Sequence, residues 1–134
     1  MKRQIYFSGR FNTSRDETQK KFDKYEANEF KDWIVFNPLK LNIGFGMVDD
    51  KYQKTDIYDR DTCYFFDIHA VMKADAIFVL NNWYNSMGAL GELLIALNMN
   101  KEIYIETMNC KVQKISVEEM KKVILDATNK ANKI

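Results

Sequence analysis

Hydrophobic and polar positions along the chain alternate between short apolar runs and longer stretches with apolar residues every three or four positions. Gln4-Ile5-Tyr6-Phe7-Ser8 is an apolar, β-prone run closed by Gly9, and Trp33-Ile34-Val35-Phe36 is a second, stopped by Asn37-Pro38. Ala76-Ile77-Phe78-Val79-Leu80 is a third, too short for a typical helix, and Glu102-Ile103-Tyr104-Ile105-Glu106 a fourth. Between them lie amphipathic stretches. Thr13 or Ser14 can cap a helix from about Arg15 to Phe30, with Glu17 completing a capping box for Ser14. A second helix is predicted from about Ile57 to Lys73. A third starts at Ser86 and places Leu90, Leu93, Leu94 and Leu97 on one face. Ser116-Val117-Glu118-Glu119 is a capping box for the last helix, with Met120, Val123, Ile124 and Ala127 as its apolar stripe. Leu39 to Thr55 reads as irregular, with Gly44 and Gly46 flanking Phe45. A loop that long is a lid or binding segment, or is disordered.

The order is β-α-β-α-β-α-β-α. Short connections and strict alternation predict an α/β fold, a parallel sheet of four to five strands with helices on both faces. In such sheets ligands sit beyond the carboxyl ends of the strands, where strand order reverses. With the order 2-1-3-4, the loops after Ser8 and after Leu80 flank one crevice. The length predicts one domain over residues 1–134, and no internal repeat or low-complexity segment interrupts it.

Composition narrows the classes. Net charge is +1 with no dominant Lys/Arg cluster, so nucleic acid and anionic membranes are not expected partners. Lys20, Lys21 and Lys24 alternate with Asp23 and Glu26, as on a solvated helix face. Cys63 and Cys110 lie in no metal or redox spacing and are expected as free thiols; one His builds no multi-His metal site. No apolar run of 18 residues occurs, and MKRQIYFSG reads as a strand start, not a signal peptide. The expected location is the cytoplasm.

From Ala76 through Asn100 the only formally charged side chain is Glu92. A carboxylate in a neutral, apolar strand-turn-helix, facing a cleft beside the strand tip, is raised in pKa and available for chemistry; the plain alternative is a solvated helix glutamate. Gly88 and Ala96, one turn to either side, leave room for a substrate or for close helix–strand packing. Ser86 opens the helix, where outward N–H groups and the dipole favour a phosphate; an ordinary N-cap is the alternative. Asp67, among Phe65, Phe66, Ile68, Ala70 and Val71, is the candidate second carboxylate, against an exposed helix aspartate. Asp75 opens the third strand at the far end of the sheet. His69 points elsewhere, to the surface or a satisfied core position. Trp83-Tyr84 stacks a base or sugar, or packs in the core.

Ile5-Tyr6-Phe7-Ser8-Gly9-Arg10, then Asp67 with Asp75 eight residues on, then a strand and Ser86-x-Gly88-x-x-x-Glu92, together resemble the nucleoside 2-deoxyribosyltransferase superfamily. They are most similar to its 2'-deoxynucleoside 5'-monophosphate N-glycosidase branch and to small phage and bacterial relatives. The resemblance covers about residues 4 to 106. It implies a flavodoxin-like fold, a homodimer or higher homo-oligomer with sites completed by a neighbour, and no cofactor or metal. It implies Glu92 as the nucleophile at the sugar C1', Asp67 as the acid assisting the base, Tyr6 beside them, and Gly9 as the glycine that lets backbone approach the ligand. Ser86 falls where the hydrolase branch binds phosphate. Arg10 replaces a small hydroxyl residue, and either contacts the phosphate or blocks the usual pose. The expected activity is N-glycosidase cleavage of a (deoxy)nucleoside 5'-monophosphate. Base exchange by a deoxyribosyltransferase, a non-catalytic nucleotide-binding protein and an interaction protein are the alternatives.

Overall fold

In a computed structural model, which describes residues 2–9, 15–51 and 53–131, the apolar runs pair as one five-stranded sheet in the order β2-β1-β3-β4-β5. β1 (Gln4–Ser8) lies between β2 (Ile34–Phe36) and β3 (Ala76–Val79), parallel to both, with Tyr6 opposite Phe36 on one side and Ile77 on the other. β4 (Glu102–Glu106) runs parallel to β3, and β5 (Val112–Ile115) returns antiparallel along β4. The first four strands take the order 2-1-3-4, the one that puts the reversal between β1 and β3, with β5 added outside β4.

Side chains alternate across the sheet, and both faces are covered. Ile5 and Phe7 of β1 and Ala76 and Phe78 of β3 pack with Phe22, Tyr25 and Phe30, the residues of helix α1 (Arg15–Ala27) and the turn after it. Phe7 meets Phe22, Phe30 and Phe78 at ring centroid distances of 5.2–5.3 Å in tilted and edge-on pairs. The opposite face carries Tyr6, Ile77, Val79 and Ile103. They meet Val71 of α3 (Arg60–Lys73), Leu93 of α4 (Met87–Asn98) and Met120 of α5 (Val117–Ala131). The result is an α/β fold with a flavodoxin-like arrangement. No helix among the described residues is long and apolar enough to cross a membrane.

Three features depart from the sequence expectations. Asn37-Pro38 stops β2 but also starts a helix, α2 (Pro38–Gly44), inside the segment expected to be irregular. The Asn37 side chain accepts the Leu39 N–H at 3.0 Å and Pro38 occupies the first helical turn, the usual N-cap and N1 pairing. Beyond α2 the chain doubles back through a bridge between Val48 and Lys54. Phe45, after α2, stacks on Phe66 of α3 at 4.1 Å and 8°. Second, β5 runs antiparallel in a sheet expected to be parallel, and no run of the sequence is assigned to it: its residues are only half-buried or exposed, so no clean alternation marks it. Third, α1 ends at Ala27 and α3 begins at Arg60, capped by Asp59; Val123 and Leu94, expected on apolar faces, are exposed. The Thr13/Ser14 cap of α1 lies outside the described residues.

Asn37 is buried, and its cap should hold α2 in place. Asn37→Ala is expected to cost about 1–2 kcal/mol, read as a lower denaturant midpoint at unchanged slope, with Asn37→Asp retaining most of the stability. An unchanged midpoint in Asn37→Ala would show that α2 does not depend on this cap.

Candidate active site

Tyr6 and Ser8 stand two residues apart on β1, so both side chains leave the same face of the sheet. Glu92, in the second turn of α4, points back at them. The Tyr6 hydroxyl donates to Glu92 Oε2 at 2.6 Å, and the Ser8 hydroxyl donates to Oε1 at 2.7 Å. Each carboxylate oxygen thus has its own neutral donor. Glu92 is 5% exposed. Burial pushes its pKa up to about 7, against the opposing pull of the two hydroxyl bonds. Tyr6, fully buried, is pushed well above the usual tyrosine range, first by burial and then by charge on Glu92 and Asp67.

Asp67 reaches the same place from α3. It is 8% exposed, and its Oδ1 is buried without a hydrogen-bond partner. Burial, followed by charge on Glu92, raises its pKa to about 8. Among the described residues no Lys or Arg forms an ion pair with either acid. The two carboxyl groups therefore differ in what surrounds them. Glu92 has two donors that favour its ionised form, whereas Asp67 Oδ1 has none, so Glu92 gives up its proton first.

Asp67 and Glu92 both line a cavity of about 560 Å³, beyond the carboxyl ends of β1 and β3 where the strand order reverses. Gly9, Ser86 and Gly88 line it too. At Gly9 a Cβ would press into the Leu80 side chain at 2.7–3.2 Å, so close loop packing demands glycine there. Ser86 is the N-cap of α4: its Oγ accepts the Ala89 N–H at 3.2 Å, leaving its own proton available to the cavity. Leu39, Asn42 and Val48 supply another wall, so the 39–55 segment borders the site.

Other expected positions lie elsewhere. Trp83 does not line the cavity: the 3-10 turn Trp83–Asn85 turns its indole into the core with Tyr6, Val79 and Leu93, and turns Tyr84 outward. Its apolar bulk is what buries it. Arg10 lies outside the described residues. Asp75 is at the opposite end of the sheet, accepting the Gln4 N–H at 2.8 Å, and His69 is exposed.

The sequence analysis does not single out several cavity-facing or supporting residues, among them Ser8, Asn42, Arg60 and Tyr64. Ser8 was legible from its two-residue spacing to Tyr6. Arg60, Tyr64 and Asp67 follow helical spacing on α3. The Tyr64 hydroxyl is seated against Gly91, where a Cβ would collide with it. Burial and the charges of Glu92 and Asp67 raise its pKa. Nothing in the sequence marks Asn42.

Residues 3–105 match the family described as Domain of unknown function (DUF4406). No curated protein matches the chain by sequence. Among solved structures, the fold is similar to the Clostridium botulinum CMP N-glycosidase BcmB, with TM-score 0.52 and 17% identity, over 77% of this chain and 70% of that one. It is also similar to a conserved protein from Enterococcus faecalis V583, with TM-score 0.58 and 16% identity, over 78% of this chain and 63% of that one.

Both acids have higher pKa values folded than unfolded. Between about pH 4 and pH 8 the folded chain therefore keeps protons that the unfolded chain has released, and stability falls as pH rises through that window. Asp67→Asn is expected to flatten this fall, measured as the difference in denaturant midpoint between pH 5 and pH 8. An equal fall in wild type and variant would remove Asp67 as a raised-pKa group.

Proposed function

This chain belongs to the DUF4406 family, and we propose that it is an N-glycosidase cleaving the base–sugar bond of a nucleoside 5'-monophosphate. Glu92 is the nucleophile and Asp67 the proton donor. The observation that carries this reading is the unequal setting of two buried acids on one cavity: Glu92 held by the Tyr6 and Ser8 hydroxyls, Asp67 Oδ1 unpartnered. A pair whose environments separate their pKa values is suited to one group acting ionised and the other protonated.

An N-glycosidic bond breaks through an oxocarbenium-like state at C1'. The proton on Asp67 goes to the departing base as the C1'–N bond breaks, and a Glu92 oxygen bonds to C1'. Asp67, now ionised, then takes a proton from a water whose oxygen attacks C1', releasing Glu92 and the sugar phosphate. Tyr6 and Ser8 position the Glu92 carboxylate and share its charge. The N-terminal turn of α4, with Ser86, Met87 and Gly88 on the cavity, offers N–H groups to the phosphate. The fold's similarity to a CMP N-glycosidase supports the choice of reaction class. A deoxyribosyltransferase would use the same covalent intermediate, with a second base replacing water.

The test is incubation with deoxy- and ribonucleoside monophosphates, following free base by chromatography. Glu92→Gln is expected to lower base release by roughly a thousandfold or more, and Asp67→Asn by about 10²–10⁴-fold. Equal release by wild type and Glu92→Gln would sink the assignment. A new nucleoside on adding a second base, in place of free sugar phosphate, would mark transfer.

Ser8→Ala removes a bond that favours ionised Glu92. The acidic limb of the kcat/KM profile should therefore move to higher pH, with the alkaline limb in place. A lower rate with an unmoved acidic limb would leave Ser8 a purely structural role.

A further inference from the structure

Helix α4 is apolar on every side. Between Met87 and Asn98 its one charged side chain is Glu92, which points inward to Tyr6 and Ser8. Ala89, Leu93 and Ala96 are buried on the same side, and the opposite stripe is Met87, Gly91, Leu94 and Asn98 at helical spacing. In a chain that is 29% charged, the outer face of this helix carries no charge. A helix that is hydrophobic all round is normally covered, and at 12 residues α4 is too short to span a membrane.

Helix α3 extends the same face. It packs beside α4, with the Tyr64 hydroxyl seated against Gly91, and its outer side presents Phe65 and Met72 with half-buried Ile68 between them. Tyr64, Phe65, Met72, Met87 and Leu94 are each at least 40% exposed. Taking roughly 200 Å² for a large apolar side chain, these five leave on the order of 550 Å² in water on each copy. That is the upper end of what a monomer exposes in one patch. Two such faces together hide on the order of 1,100 Å² from these side chains alone, close to the roughly 1,200–2,000 Å² of a stable interface before any polar rim is counted. The absence of charge also suits a symmetric pair. Across a two-fold axis a patch meets its own copy, so a charge at its centre faces its twin, whereas an uncharged apolar centre complements itself.

We propose that the α3–α4 face is covered by a second copy of this chain, in a two-fold dimer. Tyr64 and Met87 also line the cavity, so the partner sits at its edge. The pairing does not depend on the glycosidase reading.

The experiment begins with the wild-type chain. Sedimentation equilibrium at about 100 µM chain should give an even number of chains. Met87 and Met108 are 82% and 84% exposed in a single copy, and of the two Met87 alone lies on the α3–α4 face. Under dilute hydrogen peroxide, followed by peptide mass spectrometry, Met87 should therefore oxidise roughly fivefold or more slowly than Met108. Phe65→Lys and Leu94→Lys place a charge in the patch without touching the cavity lining. Each should give the mass of one chain with the circular dichroism of wild type, whereas Met108→Lys should leave the pair intact. A wild-type mass of one chain, or of an odd number, would overturn the proposal. So would equal oxidation of the two methionines, dissociation by Met108→Lys, or a dimer that survives both lysine substitutions in the patch, since the copies would then meet elsewhere. The oxidation rates need no variant, and they decide the matter if either patch variant fails to fold.

Discussion

The bond pair from Tyr6 and Ser8 to Glu92 is the constraint on which the rest of the site depends. It joins the middle strand of the sheet to the helix that follows β3, and it does so with neutral hydroxyls. A cation at that position would hold the carboxylate ionised and inert. Two hydroxyls satisfy its oxygens while burial still resists its charge, so its pKa settles near neutrality. The strand places the donors at a two-residue spacing, the helix delivers the acceptor, and the cavity opens beside them.

A third buried acid shows the contrast. Glu106, at the end of β4, accepts from the Tyr25 hydroxyl at 2.5 Å, Lys21 Nζ at 3.2 Å and the Asn81 N–H at 3.1 Å. The Lys21 ammonium balances its charge. It ties α1 and the loop after β3 to the sheet, and it does not line the cavity that Glu92 borders. Glu92 and Glu106 are both hidden from solvent, and what separates them is that Glu106 has a cation beside it while Glu92 has none among the described residues.

Much of this was readable in the chain because local pattern and tertiary demand agree. The strands β1 and β3 are buried on both faces, so they read as continuous apolar runs. Glu92 was conspicuous because nothing else around it carries charge. Where the pattern misled, the reason is physical. Asn37-Pro38 is both a strand stop and a helix start, and only the space available beyond it decides between them. Edge strand β5 has too little buried surface to leave a period in its sequence. Trp83 beside Tyr84 could turn either way, and the 3-10 turn sent the larger, more apolar ring inward.

The braced turn after α2 has a consequence for how the molecule can change. Asp67, Glu92, Tyr6 and Ser8 are carried by the central strands and the helices packed on them, whereas Leu39, Asn42 and Val48 belong to α2 and the turn after it, fastened by the Asn37 cap, the Leu41 side chain on the core and the Phe45–Phe66 stack. Substitutions in that short appendage reshape what the hollow admits without moving the acids.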